Sequence, residues 1–394
     1  MRGLIIFAAI FSITLCSSSQ SLLEFDQLVS EIESNNLLVK VSDENINSEK
    51  AALATENNLS DPEVEFSHQW GQKGIGNKWG IGVSQSFEWP GVYSSRAKQI
   101  QSKKTALDQL SMETKRVVRL DIRKTLIDIV YYKQLISLAN GQMARIDSLY
   151  SLYLKGAALG EISKLDINKL KIERINVSRQ LNEVQNNYND SYNKLISLNG
   201  GADCSSIVLS INQFPAIELL SIDYYHQLAL QNDPSKVYRA YMDEAINFEK
   251  KVLKQSNIPG FSIGYSHDYE LGEHFNGISL SLTLPFFSNK HKKAEIENRQ
   301  SLLMAEQAEA ENNIKAIIET SFHQVQNLDR EINLYSSVLN GFDNLRLLDI
   351  ALKSGQITLL EYLLEVNYFM DAKKHLLEIS HQRAIRMSEL TQWS

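Results

Sequence analysis

Four short stretches of this chain alternate apolar and small polar residues with a period of two. Val64, Phe66, His68 and Trp70 alternate with Glu63, Glu65, Ser67 and Gln69, and Trp79, Ile81, Val83, Phe87 and Trp89 with Gly80, Gly82, Ser84, Ser86 and Glu88. Further on, Phe261, Ile263 and Tyr265 alternate with Ser262, Gly264 and Ser266, and Ile278, Leu280, Leu282 and Leu284 with Gly277, Ser279, Ser281 and Thr283. Successive side chains of a strand point to opposite faces. The pattern therefore predicts strands at about 62–70, 78–89, 259–267 and 276–286, each with one apolar and one small polar face. The stretches 71–77 and 268–275 are expected to be the loops that join each pair.

A longer period governs the rest. From Gly91 to Leu159 there is no proline, and Ile122, Leu126, Ile129, Tyr132, Ile136, Ala139, Met143, Ile146 and Tyr150 recur with a mean spacing of 3.5. That is the coiled-coil period, and at about 1.5 Å per residue such a helix is on the order of 100 Å long. The same layout runs from Ser288 to Ser354. Each helix ends at a similar motif, Gly160-Glu161-Ile162-Ser163 and Gly355-Gln356-Ile357-Thr358. The glycines suit the left-handed conformation that stops a helix. Ser163 and Thr358 suit the N-cap of the next one, with Asp166 and Glu361 three residues on to complete a capping box. Both motifs read as tight turns of helical hairpins.

These features occur twice in one register. Gly82–Pro90 answers to Gly277–Pro285 at an offset of 195 positions, and Gly160 answers to Gly355 at the same offset of 195. A tandem duplication is expected. It divides the chain into a leader at 1–19, a first repeat at 20–199, a linker or small packed connection at 200–222 and a second repeat at 223–394. Each repeat holds a helix, two strands and a long helical hairpin. The hairpins fall at about 91–199, with the tip near 156–163, and about 288–393, with the tip near 354–358.

With 394 residues, 43% of them hydrophobic, the chain has ample material for a folded core. A net charge of −7 with scattered basic residues excludes the concentrated positive face that nucleic acids need. Arg2, the apolar run Leu4–Leu15 and the serines that follow have the form of a secretory signal. Cys16 leaves two readings: a lipid-modified residue after the signal, or a cysteine discarded with it. Leu15 just before it favours discard. Cys204 then remains alone and forms no internal disulfide, so stability rests on packing. No later stretch approaches the roughly 18 apolar residues of a membrane-spanning helix, and a membrane segment of this chain would be made of strands.

An antiparallel sheet on a soluble core gives the same alternation. Two details favour lipid. Trp70, Trp79 and Trp89 sit at strand ends as an interfacial aromatic girdle would, and the segments have the length that spans a bilayer when tilted. Four strands do not close a barrel, and lipid does not tolerate open edges. The smallest membrane barrels have about eight strands, so three chains making a twelve-stranded barrel is the expected solution. The fold class expected is mainly α with membrane β: long antiparallel coiled-coil hairpins plus four strands per chain.

Other chemistry is poorly supported. Gly71-Gln72-Lys73-Gly74-Ile75-Gly76 lacks the ending of a phosphate loop and reads as a hairpin turn. His68, His267 and His274 lack the spacing of a metal site. No nucleophile–base motif is recognisable, and neither an enzyme, a metal nor a cofactor is expected. A periplasmic adaptor would show one helical hairpin followed by soluble β-domains. A structural coiled coil would leave the strands without a purpose.

Over nearly its whole mature length the sequence resembles the outer-membrane efflux channels, the TolC-like proteins. The resemblance rests on the duplicated layout, on Pro90 and Pro285 at the strand ends, and on the two tip motifs. It implies a homotrimer in the outer membrane of a Gram-negative bacterium, with its helices in the periplasm as a tunnel and its barrel in lipid. It also implies docking of the tips to a periplasmic adaptor protein that is linked to an inner-membrane pump. Such a channel is a passive conduit for solutes the pump delivers. By position, Glu361 is similar to an acid that rings the periplasmic entrance in some members, and Asp166 is its counterpart in the first repeat. Leu364 and Ile357 stand where some members carry an acid and an arginine, so a salt-bridged gate does not carry over. Glu361 is left with two readings, gate lining or helix cap.

Overall fold

The computed structural model describes residues 24–394 apart from 73, 75, 288 and 340–343. The leader and Cys16 lie outside the described residues. Helix α1 occupies 24–35 and is followed by α2 (Leu37–Thr55), β1 (Glu63–Trp70), β2 (Asn77–Phe87), α3 (Pro90–Ala158) and α4 (Lys164–Leu198). Then come α5 (Ser205–Ser210), α6 (Ile222–Asn232), α7 (Pro234–Gln255), β3 (Gly260–Glu270), β4 (Glu273–Thr283), α8 (Lys292–Leu339), α9 (Asn344–Lys353) and α10 (Leu359–Leu390). The chain forms two compact units. One comprises Thr114–Asn232 and Ile314–Ser394 with the described residues up to Lys40, and the other Val41–Glu113 and Asp233–Asn313.

The first unit is helical. Its hairpin α3–α4 is antiparallel, held by Arg174 on Asp147 at 2.6 Å and Lys194 on Asp121 at 2.5 Å. Helix α10 lies antiparallel to α3 as well, through Lys124–Glu389 (2.7 Å), His381–Asp128 (2.6 Å) and Gln142–Asn367 (3.2 Å). The 3.5-residue seam of α3 is the reason: Ile122, Leu126, Ile129, Ala139 and Ile146 are all buried. The segment read as a linker or small packed connection packs into this core. Cys204, Ile207, Val208 and Ile211 join Ile122, Leu126 and Leu195 in one apolar cluster.

The second unit carries one antiparallel sheet in the order β1-β2-β3-β4. Strand bounds differ from those expected. β3 and β4 extend to Glu270 and back from Glu273, so 268–270 and 273–275 are strand and not loop. The turn is only Leu271-Gly272, with φ of 53° and 89°, the positive pair that a two-residue hairpin requires. Leucine in the first position hides this turn from a reading by residue type. At the other side β2 stops at Phe87, and Trp89 lies beyond it, with its carbonyl accepting the Val92 amide at the start of α3 (2.8 Å). The long helix expected from Ser288 is described as α8 and α9, on either side of 340–343. No helix among the described residues is long and apolar enough to cross a membrane.

Candidate functional site: a two-faced sheet and two hairpin tips

The register aligns the alternation of all four strands. Val64 pairs with Val83, Val83 with Tyr265, and Tyr265 with Ile278; Gln85 pairs with Ile263 and Ile263 with Leu280. One face thus collects Val64, Phe66, Ile81, Val83, Ile263, Ile278, Leu280 and Leu282, all of them exposed. Ile278, Leu280 and Leu282 are 80%, 77% and 72% exposed, which for a sheet in water would be a large apolar patch without a cover. The opposite face carries Ser67, Gly80, Gly82, Ser84, Ser262, Gly264, Ser266, Gly277, Ser279 and Ser281. It is crowded: a Cβ on Gly80 would lie 2.3 Å from Asp268 Oδ1, and one on Gly264 2.6 Å from Ser279 Oγ. Glycine at these positions allows the close approach of the neighbouring side chains. Lys78 and Glu270 pair on the same face at 3.1 Å.

Near the hairpin turns the apolar face changes character. Trp79 stacks on Tyr269 with centroids 5.9 Å apart, His267 on His274 at 5.2 Å, and His68 meets the edge of Trp70 at 5.0 Å. His274 Nδ1 is 3.2 Å from His267 Nε2, and Asn276 Oδ1 is 2.8 Å from both His267 Nδ1 and the Tyr265 hydroxyl. Trp70 and Trp79 belong to this belt and Trp89 does not. From the sequence these histidines are weighed only as metal ligands and are not placed in the aromatic belt, although His68 and His267 stand in the same alternation as the tryptophans. Among the described residues no three His, Cys, Asp or Glu side chains are grouped to hold a metal ion.

The two tips share one geometry. Gly160 and Gly355 have φ of 81° and 72°. The amides of Glu161 and Gly160 donate to the carbonyls of Gly156 and Ala157 (3.0 and 3.1 Å), and those of Gln356 and Gly355 to Ala351 and Leu352 (2.9 and 3.1 Å). This is a Schellman stop in both copies. Ser163 then caps α4 by accepting the Asp166 amide (3.1 Å) and donating to Asp166 Oδ2 (2.9 Å). Thr358 caps α10 in a complete capping box: its Oγ1 accepts the Glu361 amide at 3.3 Å, and its own amide donates to Glu361 Oε2 at 2.8 Å. The Thr358 amide and hydroxyl hold the Glu361 carboxyl below the usual carboxylate range, and Lys169 and Ser163 do so for Asp166. Gly160, Glu161, Ser163, Gly355, Gln356 and Thr358 are exposed, while Ile162 and Ile357 are half-buried. Ile357 packs in a cluster with Leu170, Tyr153, Leu352, Leu359 and Tyr362, drawn from both hairpins. Replacing Thr358 by alanine is expected to cost about 1 kcal/mol and to fray the first turn of α10, read as faster amide exchange over Leu359–Tyr362. Because Glu361 has a depressed pKa, its capping contribution is present at neutral pH and is lost as pH falls through its folded-state pKa.

Behind this tip lies a polar network that no motif announced. Arg145 Nη1 reaches both oxygens of Asp349 at 2.6 Å, and the Tyr362 hydroxyl donates to Asp349 Oδ1 at 2.7 Å. It ties α3, α9 and α10 together. Tyr362 is fully buried, and burial pushes its hydroxyl pKa up to about 12.

No protein-family model matches the sequence, and no curated protein matches it. Solved structures do resemble it. The crystallised channel-forming protein CusC is 15% identical, with 94% of this chain and 92% of that one superposed at a TM-score of 0.75. The outer-membrane protein VceC of Vibrio cholerae is 14% identical over 94% and 96% of the two chains, TM-score 0.72. The open-state outer-membrane channel MtrE of Neisseria gonorrhoeae is 14% identical over 94% and 88%, TM-score 0.71. With nearly full-length superposition on each, the chain has the fold of the TolC-like outer-membrane channels.

Proposed function

We propose that this chain is one third of a trimeric channel-tunnel in the outer membrane of a Gram-negative bacterium. In this reading it is a passive conduit for solutes that an inner-membrane pump delivers through a periplasmic adaptor. The single observation that carries it is the sheet. Its apolar face is uncovered, its opposite face is built mainly of serine, glycine and charged residues, and β1 and β4 each have one strand neighbour. Such a sheet is stable in lipid only if its edges are closed, and cyclic assembly of three copies closes them into a twelve-stranded barrel with the polar face inward. The helical hairpins then belong to the periplasm, and the pairing of similar elements at an offset of 195 positions reflects a tandem duplication that gives the trimer six-fold pseudo-symmetry. The exposed tip residues Gly160, Glu161, Ser163, Gly355, Gln356 and Thr358 are the surface we assign to the adaptor. Glu361 and Asp166, ionised carboxylates three residues after the caps Thr358 and Ser163, are the acids we assign to the periplasmic entrance. An adaptor opens the tunnel only to the extent that it binds the open state better than the closed one. No catalytic step is part of this reading.

Cysteine labelling in whole cells tests the sheet directly. Cys204 is buried with its thiol pKa pushed up by burial, so it is a silent background. Single cysteines at Ser279, Ser281 and Thr283 are expected to react with a small water-soluble maleimide, and those at Ile278, Leu280 and Leu282 to stay unlabelled. Equal labelling of both sets would mean a sheet in water and would end the barrel reading.

A further inference from the structure

Lysines gather where the chain leaves the sheet. α7 ends in Lys250-Lys251-Val252-Leu253-Lys254, shortly before β3 begins at Gly260, and β4 is followed by Asn289-Lys290-His291-Lys292-Lys293 at the start of α8. Neither pentapeptide contains an acid. The nearby acids are largely engaged: Arg299 reaches Glu249 and also Glu295 at 3.6 Å. Glu297 meets Lys293 at 3.8 Å with both side chains in solvent. Lys250 is held by Gln300, and Lys251 lies 4.7 Å from the centre of the Phe248 ring. Lys254, Lys290 and Lys292 meet no carboxylate among the described residues.

This charge surrounds a built groove. A surface cavity of about 450 Å³ has Lys250, Lys254 and Lys293 at its rim, Leu253 and Ile296 among its apolar lining, and Glu297 as its one acid. Between the end of β4 and these lysines stand Phe286 and Phe287, 75% and 85% exposed.

We propose that this groove binds the headgroup of an anionic phospholipid at the rim of the barrel, an inference that rests on the membrane reading of the sheet. Three ammonium groups against one carboxylate match a phosphodiester that carries net negative charge. A zwitterionic headgroup brings its own cation and is disfavoured. Leu253 and Ile296 offer apolar surface to the glycerol and the first acyl carbons, and the two exposed phenylalanines sit in the boundary layer where aromatic rings and lysine stems are favoured. Basic residues beside a bilayer strengthen attachment to anionic lipid by about fivefold each. The lysine cluster thereby sets the depth of the barrel.

The test uses the full chain extracted from outer membranes as a trimer, delipidated in neutral detergent, and titrated in native mass spectrometry. The probes are phosphatidylglycerol, phosphatidylcholine and inorganic phosphate. Phosphatidylglycerol is expected to bind more tightly than the other two. The combined K250Q, K254Q and K293Q variant is expected to bind it on the order of 100-fold more weakly while its phosphatidylcholine binding and trimer mass stay unchanged. A charge-matched K164Q, K171Q and K353Q variant is expected to bind like the parent. Equal affinity for both lipids, full phosphatidylglycerol binding by the first variant, or phosphate bound as tightly as the lipid would overturn the groove. A water-soluble monomer would instead fail the membrane reading before any lipid is added.

Discussion

Replacing Ile278 by arginine is expected to abolish the outer-membrane assembly proposed for this chain. Ile278 lies at the middle of β4 on the uncovered apolar face, paired with Tyr265. In a membrane barrel that position is near the bilayer midplane, where an arginine costs about 2–4 kcal/mol per chain, and a trimer takes the cost three times over. Assembly should fail, with the protein recovered as aggregate or degraded. Ser281→Arg, a few residues along the same strand on the opposite face, is expected to leave assembly intact, because in the proposed barrel that face lines the lumen, where the added charge stays hydrated. Membrane fractionation of the two variants reads the difference. If both assembled equally well, neither face of β4 would be in lipid.

The second large effect is expected at Tyr362. Its ring is enclosed by the apolar cluster behind the hairpin tips, and its hydroxyl joins the Arg145–Asp349 pair. Tyr362→Ala removes a fully buried ring and should cost about 3–5 kcal/mol, with α9 and α10 exchanging their amides much faster. Tyr362→Phe keeps the ring and should cost about 1 kcal/mol through the lost hydrogen bond. The pH dependence separates the two roles. The folded-state pKa of Tyr362 is raised to about 12, so its stabilising contribution is complete below pH 10 and is lost as pH rises from 10 to 12. Two pKa units correspond to about 2–3 kcal/mol. Thermal unfolding between pH 9 and 12 should therefore show an alkaline loss of stability in the parent that is smaller in Tyr362→Phe. An identical alkaline limb in both would assign it to other tyrosines.

Much of this architecture was legible because it follows from two periods. The period of two placed the strands, and the register then aligned Val64, Val83, Tyr265 and Ile278 on one face as the alternation requires. The 3.5 period placed the buried seam of α3, and glycine followed by Ser or Thr placed both tips, where left-handed backbone and side-chain caps are local chemistry. Legibility failed where a turn or strand end lacks its usual residue types, and where partners meet only once the chain has folded. The Leu271-Gly272 turn lacks the usual asparagine or aspartate, so β3 and β4 run longer than the apolar run alone suggests. Trp89 continued the alternation of β2, yet Pro90 begins a helix and drew it out of the strand. The Arg145–Asp349–Tyr362 network joins residues about 200 positions apart and has no local signature. His274 stands outside the apolar alternation and joins the belt only because the hairpin brings it beside His267.

The measurement that bears most directly on the central claim is the mass and location of the expressed protein. Cells are fractionated, the outer membranes are extracted in detergent, and the particle is weighed with the detergent contribution removed. The account predicts a trimer of the 44.7 kDa chain, less whatever leader is cleaved, found in the outer-membrane fraction. A monomer in the soluble periplasmic fraction would contradict it, because the exposed face of β4 would then have neither lipid nor a neighbouring chain to cover it.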